Sequence, residues 1–410
     1  MMHIIYLGVV SRPEDIGKIG NSSVAGNKMQ YNLLKYLCKY ENIKIDIVSF
    51  HPYQAIPHSP KLFVKSTKEQ LLDCIDLWQI GYVNIPIIKQ IIIPIITYFK
   101  ARSLIVDKND VVFAYNLCPN QGIPLSMLRK DVNDRTMCLL ADMFANQLQN
   151  DTKGLKRILA RLYEDNTFSN IKKCRNYIAL NENAMKAYAP NSNYIIVDGG
   201  IEPTEFINED RVWSGEEKNI IYTGALVDYS GIMNLISAIP LIDDKEIVLD
   251  IYGVGPLQGE IERVAAKNSR IRFHGSVDNK TAIRAQQSAW LLANPRPIDS
   301  DIAKVTFPSK IFEYLMSERP VMTTHLNGFS KDYDELLYWI EGNSPEDIAK
   351  CVNKINAVSA EELLTRSIAA KQYLLKNKTW EINAKKIYEF IIDSFGENDE
   401  PDQKGENAEA

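Results

Sequence analysis

The sequence predicts an α/β protein made of two doubly wound, Rossmann-like parallel-sheet domains that face a cleft. Two observations carry that expectation. Apolar segments rich in Ile, Val and aromatic residues alternate with helix-patterned segments from end to end. Near-continuous apolar strands separated by helices mark parallel sheets covered on both faces. The chain also has 410 residues, too many for one ordinary core, so two domains are expected.

In chain order, strand-like runs occupy 3–10, 43–50, 110–115, 136–141, 177–180 and 194–197, with helical patterns at 28–40 and 155–168 among them. A second series places strands at 219–223, 247–252, 271–274, 290–293 and 321–323, and helices at 231–239, 257–267, 279–287 and 310–317. Pro190, Asn191, Ser192 and Asn193 form a loop signal at the junction. The expected division is a first domain over 1–192, a second over 193–375, a helix over 376–395 that returns to the first domain, and a disordered acidic tail over 396–410. Trp380, Ala384, Ile387, Phe390 and Ile391 recur at helical spacing, with Thr379 as the expected N-cap. Beyond Phe395 the residues are acidic and poor in apolar groups, a composition that does not sustain a core.

Composition narrows the function. The formal net charge is −5, so there is no basic excess to neutralise a nucleic acid. Cys38, Cys74, Cys118, Cys138, Cys174 and Cys351 are scattered without a C-x-x-C pair, which reads as reduced core thiols rather than a disulfide frame or zinc site. The first residues enter a strand directly, without a basic n-region or a small-residue cleavage site, so a cytoplasmic protein is expected. Residues 85–96 are very apolar but are interrupted by Lys89, Pro86 and Pro94, and Lys100 and Arg102 follow. The run is too short to span a bilayer. Two readings stand: burial beside the first core, or peripheral contact at the inner face of a membrane.

Residues 307–322 carry the most chemistry. Pro308 and Ser309 open a helix, with Ser309 as the expected N-cap. Ile311, Phe312, Leu315 and Met316 share its buried face, while Lys310 and Glu313 fall on another side. A lysine at a helix start, where free N–H groups attract anions, suits a nucleoside diphosphate, and a carboxylate one turn on suits ribose hydroxyls. The segment resembles the nucleotide-sugar site of GT-B glycosyltransferases, in particular the retaining family 4, whose members often carry a Ser-Lys-x-x-Glu-Tyr helix followed by a Pro-Val strand. Residues 198–206 resemble that family's interdomain linker, and residues 222–232 its first strand and loop of the second domain.

The resemblance implies a metal-independent transferase without a cofactor. It would move a hexose-type sugar from a nucleotide-diphosphate donor to a hydroxyl acceptor on a sugar, a lipid-linked sugar or a protein glycan, with a role in surface polysaccharide or glycoconjugate synthesis implied by analogy. Donor contacts fall on Gly224, Gly253, Gly255, Val277, Phe307, Ser309, Lys310 and Glu313. Lys310 and Asp142 take the catalytic roles, and Gly17, Asn21, Ser22 and Asn116 the acceptor side. The chain departs from the family pattern at four places. Ala225 and Ser230 stand where an Arg and a Lys usually grip the diphosphate, Val305 replaces the first Glu of a Glu-x7-Glu signature, and Ala141 replaces the His of a His-Asp pair. Those departures keep a non-catalytic nucleotide-binding homologue open, and a sugar-nucleotide epimerase of the same fold is the other alternative. Gly253, Gly255 and Gly259 imitate a dinucleotide fingerprint, but the next strand lacks the acidic residue that NAD requires. Asp299 and Asp301 form an Asp-x-Asp pair in a loop, read as polar surface rather than a metal site.

Overall fold

Two parallel sheets organise the chain. The computed structural model describes residues 2–15, 23–141, 154–206, 218–298 and 307–396. The first sheet contains β1 (Met2–Leu7), β2 (Ile43–Ser49), β4 (Thr67–Leu72), β5 (Ile75–Gln79), β7 (Val111–Tyr115), β8 (Thr136–Leu140), β9 (Asn176–Ala179) and β10 (Asn193–Ile196). Its spatial order is β10-β9-β8-β7-β1-β2-β5-β4, parallel throughout except for β4 at the edge. The short strands β3 (Phe63–Val64) and β6 (Tyr82–Val83) pair antiparallel beside it. The second sheet runs β13-β12-β11-β14-β15-β16, all parallel, from β11 (Asn219–Thr223), β12 (Val248–Tyr252), β13 (Ile271–Gly275), β14 (Leu291–Asn294), β15 (Val321–Thr324) and β16 (Tyr338–Ile340).

Helices cover both sheets: α1 (Val24–Leu37), α2 (Ile88–Leu104), α3 (Pro119–Leu128), α4 (Leu155–Lys173) and α5 (Glu182–Tyr188) in the first half. In the second are α6 (Ile232–Ala238), α7 (Gln258–Ala265), α8 (Asn279–Ser288), α9 (Lys310–Met316), α10 (Pro345–Asn356), α11 (Ala360–Asn377) and α12 (Trp380–Phe395). Each sheet separates two apolar layers. In the first, Ile5, Leu7 and Val112 face one layer while Ile4, Tyr6 and Phe113 face the other, as the period of two requires.

Two expectations change. The strand Asn193–Ile196 pairs with β9, so the first sheet runs past residue 192. The loop at 190–193 precedes a strand of the first domain rather than the crossing between domains. Cys38 and Cys74 are bonded to each other, with Cα atoms 5.9 Å apart. Cys38 ends α1 and Cys74 lies in the β4–β5 turn, and pairing of β5 with β2 brings these distant points together, which spacing along the chain does not reveal. Cys118, Cys138, Cys174 and Cys351 are not disulfide-bonded. Residues 85–96 contribute to α2, whose inner face is Ile93, Pro94, Thr97 and Ala101. Of the expected acidic tail, only Gly396 lies among the described residues.

The returning helix is present. Thr379 accepts from the Ile382 N–H at 3.2 Å, a side-chain cap. Trp380, Ala384, Ile387, Phe390 and Ile391 are buried with Leu33, Leu34 and Leu37 of α1 in one cluster. Around this crossing, Ile201 bridges to Thr379. The Lys378 ammonium donates to both oxygens of Asp198 at 2.8 and 2.7 Å, and Tyr333 donates to one of them at 2.8 Å. Gly200 lies so close to Trp380 that a Cβ would enter the indole at 2.7 Å. Lys28 and Lys35 of α1 reach across to Glu205 and Glu202 at 2.8 and 2.9 Å. Pairing with Lys35 and a hydrogen bond from Tyr36 hold the Glu202 carboxyl below its ordinary pKa against the opposing effect of burial.

Candidate active site

The carboxyl end of β11 is the anchor. Thr223 is clamped there: its N–H donates to the Tyr314 hydroxyl at 3.0 Å, and its own hydroxyl accepts from Gln286 at 3.0 Å. The Lys310 ammonium, at the first position of α9, donates to the Thr223 carbonyl. It also lies 5.8 Å from the Tyr222 ring centre. Lys310 as a residue is half-buried, and its charged end lies among these groups. Burial pushes its pKa down to about 8, with Arg296 adding to the fall and Glu313 opposing it.

Glycine is required at this spot. A Cβ on Gly224 would strike the Lys310 nitrogen, and a Cβ on Gly253 would run into the Gly224 carbonyl. A Cβ on Gly255 would strike the Leu226 carbonyl oxygen. The loops after β11 and β12 therefore touch backbone to backbone, cross-linked by Leu226 N–H to Val254 O at 2.9 Å. Gly253 also donates to the Gly275 carbonyl at 2.8 Å, which aligns the tips of β11, β12 and β13. Val277 stands half-buried two residues past β13, just before Asp278, the N-cap of α8. His274 acts as a packing residue: it stacks on Tyr252 and bonds Asp250 at 2.7 Å.

Arg296 is the residue that sequence reasoning missed. It follows β14, which lies next to β11 in the sheet. Its guanidinium lies 6.0 Å from the Tyr229 ring centre and influences both Tyr222 and Lys310 electrostatically. Burial lowers its own pKa. The turn at Gly231 (φ 75°) sets this up, since a Cβ there would collide with the Pro295 carbonyl. Ala225 and Ser230 leave the loop after β11 without cations, and Arg296 brings one to the same neighbourhood from the adjacent loop. A cation between two prolines at a strand tip was the available signal.

Glu313, one turn after Lys310, faces a different space. It borders an interdomain cavity of about 180 Å³, together with Ser309, Tyr115, Ala141, Gly199 and the start of α1. Ser309 is exposed and in helical backbone, and its side chain makes no cap. The N-cap expectation fails because a cap needs an extended backbone to turn the hydroxyl onto the helix; the hydroxyl stands beside the cavity instead. Phe307 borders the cavity too, but its ring packs 5.0 Å from both Phe312 and Phe329. A larger polar groove of about 920 Å³ includes Arg135, Lys172, Arg175 and Ser394. It lies at the amino ends of the first sheet's strands, away from this chemistry.

Across the cavity, Ser23 caps α1 by accepting from Gly26 N–H at 3.1 Å. The absence of a side chain on Gly26 lets the Tyr115 hydroxyl approach. Two buried amides of α1 then hold the chain after β1. Asn27 exchanges hydrogen bonds with Ser11 backbone at 2.7 and 3.0 Å, and Gln30 does the same with Val9 at 3.1 and 3.2 Å. Asn116, expected on the acceptor side, has φ 56° and accepts from the Ala141 N–H at 2.9 Å. Its carboxamide oxygen fastens the tips of β7 and β8. Gly17, Asn21, Ser22, Asp142, Asp299, Asp301 and Val305 lie outside the described residues.

Known proteins agree with this architecture. Residues 217–357 match the family described as Glycosyl transferases group 1. No curated protein matches the chain in sequence. Similar solved structures include sucrose-phosphate synthase from Thermosynechococcus elongatus, with TM-score 0.70 and 13% identity over 96% of this chain and 99% of that one. HepE from Anabaena, in complex with UDP, gives 0.63 and 13% over 96% and 100%. WaaG, a glycosyltransferase involved in lipopolysaccharide biosynthesis, gives 0.61 and 12% over 95% and 99%. The chain has the GT-B fold of glycosyltransferases, and its second domain carries the group 1 glycosyltransferase signature.

Proposed function

We propose that the protein is a retaining glycosyltransferase that moves a hexose-type sugar from a nucleoside-diphosphate donor to a hydroxyl acceptor, with surface polysaccharide or glycoconjugate as the product class. The observation that carries this reading is Lys310, enclosed at the carboxyl end of β11 with Arg296 close enough to influence it. When the bond between the sugar and the diphosphate breaks, negative charge grows on the phosphate oxygen. Two cations pre-positioned in an enclosed site favour that state. Glu313 holds the ribose hydroxyls from the cavity side. Asp142 bonds the sugar or acceptor. The acceptor oxygen forms the new bond to the sugar and its proton leaves with the departing diphosphate. The UDP bound by HepE and the role of WaaG support this assignment by analogy of fold.

The test is turnover of a panel of UDP-, GDP- and ADP-sugars. Glu313→Ala is expected to weaken binding of the correct nucleotide about tenfold or more, the worth of hydrogen bonds to a charged group, while leaving the thermal melt unchanged. Wild-type affinity in this variant would remove Glu313 from the site. Activity is expected to survive EDTA, because Lys310 and Arg296 supply the positive charge. Loss in EDTA that Mg²⁺ or Mn²⁺ restores would instead make Asp299 and Asp301 ligands. A second reading, a non-catalytic nucleotide-binding homologue, draws on Ala225 and Ser230. Saturable nucleotide binding with no turnover of any donor would favour it.

A further inference from the structure

The outer face of α2 is reversed from what water favours. Its exposed positions recur at helical spacing as Ile88, Ile91, Ile95 and Phe99, with Ile91 59%, Ile95 49% and Phe99 64% exposed. A helix on a soluble domain ordinarily turns polar residues to that side. Phe63, 69% exposed, adds to the same region, since β3 pairs with β6 and β6 packs on α2. On the other side α2 packs on α3, and α3 on α4. The first turns of α4 again expose Ile158 and Leu162. Both α2 and α4 run from the carboxyl ends of strands, where the cleft lies, back to the amino ends. The helix starts, with Ile88, Ile91 and Ile158, therefore lie on the carboxyl-end side, where the cleft opens.

The charged side chains nearest the exposed apolar residues are cations, although Asp165 follows on α4 and Asp131 pairs with Arg102 at the end of α2. Lys156, Arg157 and Arg161 stand exposed beside Ile158 and Leu162, and Lys61 and Lys65 bracket Phe63. Neither α2, nor residues 61–65, nor residues 155–163 contain an acidic side chain. This local basic fringe contrasts with a chain whose net charge is −5. Exposed isoleucines and phenylalanines rimmed by cations match a bilayer that carries anionic headgroups. The apolar side chains enter the acyl boundary and the cations meet the phosphates. A second copy is a poorer fit, because a twofold contact through this patch sets its own cations against one another.

We propose that this side of the first domain is a docking face for an anionic membrane surface. It holds the cleft mouth at the lipid–water boundary, where a lipid-linked hydroxyl acceptor would enter. The acceptor statement rests on the glycosyl-transfer reading; the docking does not. The experiment is co-sedimentation of the full chain with phosphatidylcholine vesicles, with and without phosphatidylglycerol, beside an Ile91→Asp/Ile95→Asp variant and a Lys156→Glu/Arg157→Glu/Arg161→Glu variant. Both changes are on the surface, and thermal melts check that each variant is folded. Wild type is expected to pellet with the anionic vesicles alone and to be released by salt, and both variants to stay in the supernatant. Nucleotide titration of the variants should equal wild type, which keeps a failure of docking separate from a failure of the donor site. Wild type left in the supernatant, or folded variants that pellet as well as wild type, would overturn the proposal. So would a soluble dimer without vesicle binding that the isoleucine variant converts to monomer, an outcome that gives the face to a second copy.

Discussion

Lys310→Ala is expected to weaken nucleoside-diphosphate binding by about tenfold to a hundredfold, the equivalent of the ~1.5–3 kcal/mol that a hydrogen bond to a charged group contributes. The fold should survive, because the ammonium replaces no apolar contact and the Thr223 carbonyl it leaves also accepts from Tyr314 at 3.3 Å. Arg296→Ala is expected to weaken binding in the same direction, and the two effects to be non-additive, since the two cations influence one another. The lowered pKa gives a second signature. In the free protein Lys310 is charged below about pH 8 and neutral above it. A bound diphosphate favours the charged form, so binding above that pH takes up a proton. Affinity should therefore be flat below pH 8 and fall as pH rises beyond it. Lys310→Arg should remove that fall, because arginine stays charged. Calorimetric titration across this pH range measures both effects; wild-type affinity in Lys310→Ala, or a pH slope unchanged in Lys310→Arg, contradicts the assignment.

Removal of residues 379–410 is expected to give aggregation or a loosened, inactive protein, whereas removal of 397–410 should leave the melt and activity nearly unchanged. The difference lies in α12. Trp380 is 5% exposed, and Ala384, Ile387, Phe390 and Ile391 are buried against the first domain although the helix follows the second. Deleting it opens that apolar face at about 25 cal/mol per Å². It also deletes the bridge between Ile201 and Thr379 at the hinge. The milder Trp380→Ala should destabilise by about 3–5 kcal/mol. Thermal melts and donor turnover on both truncations decide the matter. A stable, active 1–378 chain would show that α12 does not hold the domains together.

Much of this was legible in the chain, for identifiable reasons. Buried parallel strands are continuous apolar runs, so β1, β2, β7, β8, β11, β12 and β14 stand out in the sequence. α12 did so because a cap and a 3.6-residue stripe agree. Glycines 224, 253 and 255 were legible because close backbone contact excludes a Cβ. What sequence missed depends on neighbours distant in the chain. The Cys38–Cys74 bond needs β5 beside β2. The edge position of β10 is set by its pairing with β9, because a short strand carries little pattern of its own. Arg296 gains meaning only when β14 is placed beside β11. Asn116, expected on the acceptor side, also ties down the Ala141 N–H at the strand tip. Nothing local separates those two uses of an asparagine.

The central claim is that the tips of β11, β12 and β14 with the start of α9 form a site for the diphosphate of a sugar donor. Titration of the purified protein with UDP, GDP and ADP, followed by displacement of the bound nucleotide with the matching sugar nucleotide, tests it most directly. The account predicts saturable one-to-one binding of one nucleoside diphosphate, displaced by its sugar conjugate and lost in the Lys310→Ala/Arg296→Ala variant. Binding of none of the three, or binding that the folded double variant retains at full strength, would contradict it.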